Sequence, residues 1–293
     1  MANEHDEAEA RARFEQKNRA EWTDPRAVTA WRAWFPKIKV QGERVTRALI
    51  AAADLRPGLR VLDLASGPGE PALTIAAAVA PGGQVTATDL SPGMLESLAD
   101  NRRRYGVTNV DIRQADAQEL PFEDASFDRV TCRFGVMLFT DVGRALGEAR
   151  RVLRPDGRAT FVAWGPPAPG SFMGTMLEPF RRRNVLPQPP PGAPGPFRFA
   201  AAGSLSRELE QAGFSAVREE ARLVAMPWPG DPRELWQHFY ELAAPLRPFF
   251  DGMPRAEREA ATAEVVRDLG AMHDGTSVNA AGAIVVATGV RGR

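Results

Sequence analysis

The most regular part of the chain lies between residues 60 and 164, where short apolar runs alternate with segments of helical period. The apolar runs predict strands at 61–64, 85–88, 110–113, 127–132 and 159–164, and the intervening segments predict helices at 71–80, 91–105 and 142–153. Strands joined through helices of this length form right-handed βαβ units and a parallel, doubly wound sheet. Such sheets bind ligands at the carboxyl ends of their strands, so the residues that end each strand are the candidate site.

The segments on either side follow other patterns. Residues 1–54 predict a charged tail and a helical lid, and residues 55–165 form the core. Residues 166–203 predict a cover, because six prolines between Pro187 and Pro196 exclude regular structure there. Residues 204–293 complete the core with a helix at 205–211, a strand at 216–223, a helical insert at about 228–275 and a last strand at 283–288.

Composition narrows the class of protein. The 293 residues are 44% apolar and 25% charged, typical of one large globular domain or a domain with an insert. Lys and Arg balance Asp and Glu at 37 each, which disfavours a nucleic-acid partner. One cysteine and three histidines disfavour disulfides and a metal site. Without a signal-peptide pattern or a membrane span, we expect a cytoplasmic protein, whose oligomeric state the sequence leaves open.

The strongest local signal is the loop that follows the first strand. It contains Asp63, Ala65, Ser66, Gly67 and Gly69. The glycines permit positive φ and close approach of a ligand to the backbone. A pyrophosphate site would show three glycines in G-x-G-x-x-G spacing, and the third glycine is missing here. The Asp63 carboxylate would repel a pyrophosphate and attract a cationic amino group. The loop therefore favours S-adenosylmethionine over a nicotinamide dinucleotide.

Two further carboxylates end successive strands. Asp89 ends the second strand, where a carboxylate accepts hydrogen bonds from ribose hydroxyls. Asp116 and the neighbouring backbone N–H of Ala117 follow the third strand, in position to bind the adenine amino group and a ring nitrogen. Each aspartate alone is also an ordinary cap or turn residue. Together, three carboxylates at three strand ends indicate a nucleoside-type cofactor.

The segment 61–164 resembles the ubiquinone/menaquinone C-methyltransferase-like group (methyltransferase domain 11 type) of class I S-adenosylmethionine-dependent methyltransferases. The pieces that carry the resemblance are VLDLASGPG, ATDLSPGML, ADAQELPFEDASFD and EARRVLRPDGR. The resemblance implies a Rossmann-like sheet of seven strands with the last strand antiparallel and helical cover elements. It also implies methyl transfer from S-adenosylmethionine, with S-adenosylhomocysteine as product.

The resemblance also assigns roles to residues. The loop 63–69 would hold the amino-acid end of the cofactor, and Asp89 would bind its ribose. Leu90 and Met94 would line the adenine side, while Asp116 and Ala117 would bind the adenine. The residues passing under the methionine portion would be Cys132 and Arg133. For Cys132 a nucleophilic role is disfavoured, since no histidine lies near it in sequence.

One motif departs from the quinone-methylating pattern. Those enzymes read Phe-Gly-x-Arg-Asn after the fourth strand, whereas this chain has Met137 and Leu138 at the arginine and asparagine positions. Neither side chain can move a proton, which disfavours quinone C-methylation. A base is needed only if the acceptor must lose a proton, and the candidate is His238, which lies among aromatic residues. Packing within a helix is the alternative role for His238.

Aromatic and apolar residues outside the sheet indicate the acceptor. They predict a small, mostly apolar or aromatic molecule enclosed by the N-terminal helices and residues 166–250, with the O, N or C atom undetermined. The candidate acceptor contacts are Trp22, Trp34, Phe134, Met137, Phe172 and Trp236. The alternatives are a quinone-precursor C-methyltransferase, a nicotinamide oxidoreductase, a macromolecular methyltransferase, and a non-catalytic cofactor-binding protein of the same fold.

Overall fold

A single mixed sheet organises the computed structural model, which describes residue 16 and residues 19–186 and 192–293. In that part of the chain the sheet has seven strands in the order β3-β2-β1-β4-β5-β7-β6. β1 to β5 pair in parallel, and β7 runs antiparallel between β5 and β6. This confirms the predicted doubly wound fold with an antiparallel last strand. The strands are β1 Arg60–Leu64, β2 Gln84–Asp89, β3 Val110–Gln114, β4 Phe127–Arg133, β5 Leu153–Trp164, β6 Ser215–Pro229 and β7 Ser277–Val290.

Helices pack on both faces of the sheet, and a further group of helices covers its carboxyl edge. One face is packed by α2, α3 and α4, and the other face by α5 and α7. A third apolar cluster joins α6, α8, α9 and α10 with the far ends of β6 and β7. The helices are α1 Pro25–Gln41, α2 Glu43–Ala52, α3 Ala72–Val79, α4 Pro92–Arg104, α5 Val142–Val152, α6 Phe172–Arg181, α7 Ser204–Gln211, α8 Pro232–Leu242, α9 Arg247–Asp251 and α10 Arg255–Gly270, with a 3₁₀ turn at Val136–Leu138.

The last two strands are longer than their sequence pattern predicted. β6 continues to Pro229 and β7 begins at Ser277, so the two strands pair far beyond the predicted 216–223 and 283–288. The extension is stabilised by the burial of every second side chain at the end of β6, since Met226 and Trp228 are buried beneath the cover helices. The helical insert therefore begins at α8 rather than at residue 228, and it is divided into three helices.

The start of β5 also differs from expectation. β5 starts at Leu153, where the sequence predicted the last turn of a helix. Leu153 pairs with Phe127, and the register then shifts before Arg158 pairs with Arg129, so the intervening Pro-Asp-Gly segment is a bulge inside the strand. The tail 1–15 and the prolines at 187–191 lie outside the described residues. The division of the chain at residues 54, 165 and 203 stays a prediction.

Candidate functional site

The loop between β1 and α3 is held in a backbone shape that requires small residues. Ala65, Gly67 and Gly69 have positive φ, at 53°, 52° and 125°. A Cβ on Gly69 would lie 2.8 Å from Cδ1 of Leu73, so the glycine allows α3 to start close to the strand. Gly67 has open space beside it, and a Cβ at this position would have no neighbour within 4 Å. The loop therefore presents free backbone surface at the carboxyl edge of the sheet.

Asp63 lies beneath this loop. Its side chain is 0% exposed and accepts hydrogen bonds from Ser66 Oγ and Thr131 Oγ1, both at 2.6 Å. Burial raises the pKa of Asp63 to about 7, against the hydrogen bonds and the nearby Arg133, which lower it. The sequence predicted a direct charge contact between Asp63 and a ligand. The structure instead places the carboxylate behind the loop wall, where it ties β1 to β4 and fixes Ser66.

Asp89 connects the ends of two strands. Its Oδ2 accepts a hydrogen bond from the Gly67 amide at 2.9 Å, and its Oδ1 accepts one from the Ser91 amide at 2.9 Å. Burial raises the pKa of Asp89, while these backbone donors lower it. The carboxylate also lies on the wall of the central cavity, beside Leu90 and Met94. It thus orients the glycine loop, and its two oxygens retain further acceptor capacity beside the cavity.

Asp116 and Ala117 lie at the adjacent end of the same cavity. Asp116 Oδ1 accepts a hydrogen bond from the Gln118 amide at 2.9 Å. Its Oδ2 forms an ion pair with Arg19 at 3.3 Å, and that arginine comes from the helical stretch 19–23. Trp22 from this stretch lines the cavity as well. The described part of the predicted N-terminal lid therefore contacts the predicted adenine end of the site.

Arg133 is the cation at the opposite end of the loop. It donates to Thr46 Oγ1 at 2.7 Å and to the Glu70 carbonyl oxygen at 3.1 Å, and burial lowers its pKa. A Cβ on Gly42 would lie 2.7 Å from Arg133 Nη1, so the glycine makes room for the guanidinium. Glu70 is paired with Lys39 at 2.5 Å. Two of the five guanidinium donors are engaged by these contacts, which leaves donors for an anionic ligand group.

Sequence reasoning missed the contribution of the first two helices to this end of the site. Gln41 lines the cavity, is 4% exposed, and has no hydrogen-bond partner for Nε2 among the described residues. The helical spacing of α1 could have identified Gln41 from the sequence. Gln41 follows Ile38 by three positions, Ile38 follows Trp31 by seven, and all three line the cavity, so they share one face of α1.

Cys132 has no chemical role in this arrangement. Its side chain is fully buried, and burial raises the pKa of its thiol well above the usual range. A Cβ on Gly135 would lie 2.8 Å from its sulfur and 2.6 Å from Cβ of Ala65. Cys132 therefore packs where the β4 end meets the glycine loop. It does not line the cavity, so the contact with the methionine portion that the resemblance implied for Cys132 is not seen in the cavity wall.

These elements enclose a cavity of about 370 Å³, within the range of small-molecule sites. Its loop end carries the polar groups just described. Its other end is walled by α6, α8 and the segment after β4, including Met137 and Leu138. The proline-rich cover reaches this wall, since the Gly195 amide donates to the Met137 carbonyl oxygen at 3.0 Å and Pro196 lines the cavity.

A row of four aromatic rings runs along the cavity wall. Phe134 stacks on Trp164 with centroids 4.2 Å apart, and Trp164 lies 6.0 Å from Phe172. Phe172 in turn meets Phe239 of α8 edge to face at 6.1 Å. All four residues line the cavity. Because Phe134 directly precedes the glycine that contacts the loop, the row leads from the loop to α8.

Two predicted acceptor contacts lie elsewhere. Trp236 stacks on Phe180 at 5.3 Å in the apolar cluster of the cover, and Trp34 donates its indole N–H to Glu241 at 2.6 Å. Neither lines the cavity. Trp236 lies nearer the start of α8, where its indole packs against Phe180 and Phe250 in the cover, and Trp34 lies on α1. The predicted contacts Trp22, Phe134, Met137 and Phe172 do lie on the wall.

His238 lines the cavity but is poorly suited to remove a proton. Its side chain is 4% exposed, and burial together with the charge of Lys37 lowers its pKa to about 3. The imidazole is therefore neutral and weakly basic at ordinary pH. In the described residues no cluster of His, Cys, Asp and Glu side chains is arranged to hold a metal ion. The same residues include no helix long and apolar enough to cross a membrane.

The strand order, the loop after β1 and the carboxylate ending β2 define a class I methyltransferase fold. Comparison with known proteins agrees. A family model described as a methyltransferase domain matches residues 61–157. Nocamycin O-methyltransferase of Saccharothrix syringae is 32% identical over 267 residues, which cover 84% of this chain and 90% of that protein. The chain belongs to the family of S-adenosylmethionine-dependent methyltransferases, and S-adenosylmethionine is its cofactor.

Two further similarities concern the sequence of the core and the fold. The demethylmenaquinone methyltransferase of Thermus thermophilus is 42% identical over 167 residues, covering 52% of this chain and 73% of that protein. The YcgJ protein of Bacillus subtilis has a similar fold, with a TM-score of 0.56, 21% identity, and coverage of 86% of this chain and 99% of that one. The predicted resemblance to the quinone C-methyltransferase-like group is confirmed.

Proposed function

We propose that the protein transfers the methyl group of S-adenosylmethionine to a small, mostly apolar or aromatic acceptor. The observation that carries this proposal is the row of rings from Phe134 to Phe239, which extends one cavity from the cofactor loop to the cover helices. Flat aromatic walls favour flat or apolar ligands, with gains of about 0.5–1.5 kcal/mol for each well-placed ring pair.

The loop end of the cavity fits the cofactor. Asp89 would accept hydrogen bonds from the ribose, and Asp116 with the Ala117 amide would bind the adenine. Arg133 and the unpartnered amide of Gln41 would bind the carboxylate of the methionine portion. When bound, the cofactor supplies an electrophilic methyl group on a sulfonium. The protein's own residues hold the two reactants in line and exclude water from between them.

The cavity wall offers no obvious proton acceptor among the described residues. His238 is a weak base, and the carboxylates of Glu70, Asp89 and Asp116 already accept hydrogen bonds or ion pairs from protein groups. We therefore propose an acceptor atom that is nucleophilic without enzymatic deprotonation, such as the oxygen of an acidic hydroxyl. The nocamycin O-methyltransferase relative supports transfer to oxygen.

Methylation of a quinone-precursor carbon is the second candidate, since two relatives are named for that reaction. Met137 and Leu138 count against it, because both line the cavity as apolar side chains at the positions where the motif of the quinone enzymes has arginine and asparagine. The position of the new methyl group distinguishes the two candidates.

The test uses S-adenosylmethionine with a deuterated methyl group, the purified protein and a small-molecule extract of the source organism, read by mass spectrometry. We expect a product heavier by one deuterated methyl, carried on oxygen. The product should disappear with Asp89→Asn and persist with Asp111→Asn, whose side chain is exposed on β3. Label on a ring carbon would favour the quinone reaction. Cofactor binding without any labelled small molecule would contradict the proposal.

A further inference from the structure

α8 presents one polar side chain to the apolar end of the cavity. The Asp231 carboxylate caps the start of the helix by accepting from the Glu234 amide, and His238, Phe239, Leu242 and the following Ala243 lie on the cavity wall. Three of these four residues are apolar. His238 is 4% exposed, and neither Nδ1 nor Nε2 has a hydrogen-bond partner in the described part of the chain.

The surroundings of His238 on the protein side consist of aromatic rings. Trp228 lies 4.4 Å away between centroids, and Trp34 meets the imidazole edge-on at 5.6 Å. The Trp34 indole N–H is already donated to Glu241. Trp228 Nε1 also lacks a partner among the described residues, but Trp228 is not on the cavity wall. The described residues therefore supply no hydrogen-bond partner for the imidazole, which borders the cavity on its other side.

Burial and a nearby positive charge keep His238 neutral. Lys37 Nζ lies 5.2 Å from the Trp228 ring centroid and is paired with both carboxylate oxygens of Glu234 at 2.5 Å. The lysine charge and burial both disfavour an imidazolium. A neutral imidazole carries one N–H donor and one acceptor nitrogen. Leaving such a buried polar group unpaired costs about 1–3 kcal/mol, which a suitable ligand group would recover.

A hydroxyl matches a neutral imidazole better than other common groups. It accepts from the imidazole N–H or donates to the other nitrogen, so it pairs with either tautomer. A carbonyl can only accept, and a carboxylate would have to be buried beside aromatic rings. The ring row leads away from the cofactor loop to Phe239, the neighbour of His238, so a group bound here lies at the far end of the acceptor.

We propose that His238 binds a hydroxyl group of the acceptor at the α8 end of the cavity and thereby selects an apolar or aromatic ring system that carries a hydroxyl remote from the methylated atom. This inference rests on the proposed function, since it specifies the acceptor of that same site. It makes His238 a residue that orients and selects the acceptor instead of a base.

The test measures binding by equilibrium dialysis to protein saturated with S-adenosylhomocysteine. The probes are 1-naphthol and 1-methylnaphthalene, which differ in whether the ring carries a hydroxyl or a methyl group. We expect wild type to bind 1-naphthol about ten-fold more tightly, the ratio for one satisfied hydrogen bond of about 1.4 kcal/mol. The ratio should fall to within two-fold in His238→Phe and recover in His238→Gln. His273→Gln, on a turn outside the cavity, serves as the matched control.

Three results would overturn the inference: no preference in wild type, a preference that survives in His238→Phe, or no binding of either probe. The preference should also be constant between pH 6 and pH 8, because the imidazole stays neutral throughout. A second readout uses the acceptor found by methyl transfer. There, His238→Gln should keep kcat and His238→Phe should raise KM, whereas a kcat loss of about 100-fold in both would identify a base.

The two proposals fail separately. The dialysis experiment requires no methyl transfer, and the labelled-methyl experiment requires no particular role for His238. Labelled product together with equal probe binding would remove the hydroxyl inference and leave the proposed function standing. A hydroxyl preference without labelled product would remove the proposed function and, with it, the assignment of the bound hydroxyl to a methyl acceptor.

Discussion

The ring of Phe134 lies nearly parallel to the ring of Trp164, with centroids 4.2 Å apart and an interplanar angle of 13°. The two residues end neighbouring parallel strands, β4 and β5. The Phe134 backbone supports the stack, because its amide donates to the Val162 carbonyl oxygen at 2.8 Å and its φ is +63°. A non-glycine residue in this conformation is costly, and such strain is common at functional sites.

Replacing Trp164 by Leu should weaken acceptor binding without affecting the cofactor. Loss of the stacked ring removes about 0.5–1.5 kcal/mol from the aromatic wall, so we expect KM for the acceptor to rise about 2- to 10-fold. The dissociation constant of S-adenosylhomocysteine, measured by calorimetry, should change less than two-fold. Trp236→Leu is the matched control, since it removes an indole outside the cavity and should lower stability while leaving KM unchanged. Equal KM effects in both variants would contradict the assignment.

Asp89→Asn should weaken binding of the cofactor. The carboxylate holds the Gly67 amide and is proposed to accept from the ribose, and charge-assisted hydrogen bonds contribute about 1.5–3 kcal/mol. We expect S-adenosylmethionine to bind about 10- to 100-fold more weakly in calorimetry. Asp111→Asn should bind like wild type. Unchanged affinity in Asp89→Asn would exclude Asp89 from the cofactor site.

Two glycine substitutions of equal size should have opposite effects on stability. In Gly135→Ala the new methyl would meet Ala65 Cβ at 2.6 Å and Cys132 Sγ at 2.8 Å, which should lower the free energy of unfolding by about 1–3 kcal/mol. Gly147 lies within α5 and has nothing within 4 Å of the new methyl. Gly147→Ala should therefore stabilise the protein by about 0.5–1 kcal/mol. Urea unfolding checks both signs, and a stabilising Gly135→Ala would refute the close approach of the two loops.

Asp63→Asn should change how stability depends on pH. The folded-state pKa of Asp63 is raised from 3.8 to about 7, so folded wild type retains a proton that the unfolded chain releases between these values. The contribution of protonated Asp63 to the free energy of unfolding is present below about pH 4 and is lost as the pH rises through 7. Across this range, the free energy of unfolding of wild type should fall by about 4 kcal/mol more than that of Asp63→Asn. Urea unfolding at several pH values between 4 and 8 measures it, and parallel curves for the two proteins would show that Asp63 is ionised throughout.

The amino-acid sequence by itself determined the sheet core, the cofactor and most of the residues on the cofactor side of the cavity. These depend on local patterns: apolar strands, helix-forming segments and a glycine loop whose backbone shape is encoded within a few residues. Asp89, Asp116 and Arg133 reach the cavity because the carboxyl ends of parallel strands meet at one edge.

Tertiary structure decided which side chains of the cover helices face the acceptor. The placement of α8 over the sheet decides which neighbours each side chain meets, so His238 lines the cavity while Trp236, two positions earlier, packs against Phe180. Tertiary structure also decided the protonation of two titratable groups. Asp63 lies behind the loop and His238 is neutral, because burial and contacts distant in sequence set their pKa values. The spacing of residues in the sequence does not determine how a cover helix is placed over the cavity or how deeply a side chain is buried.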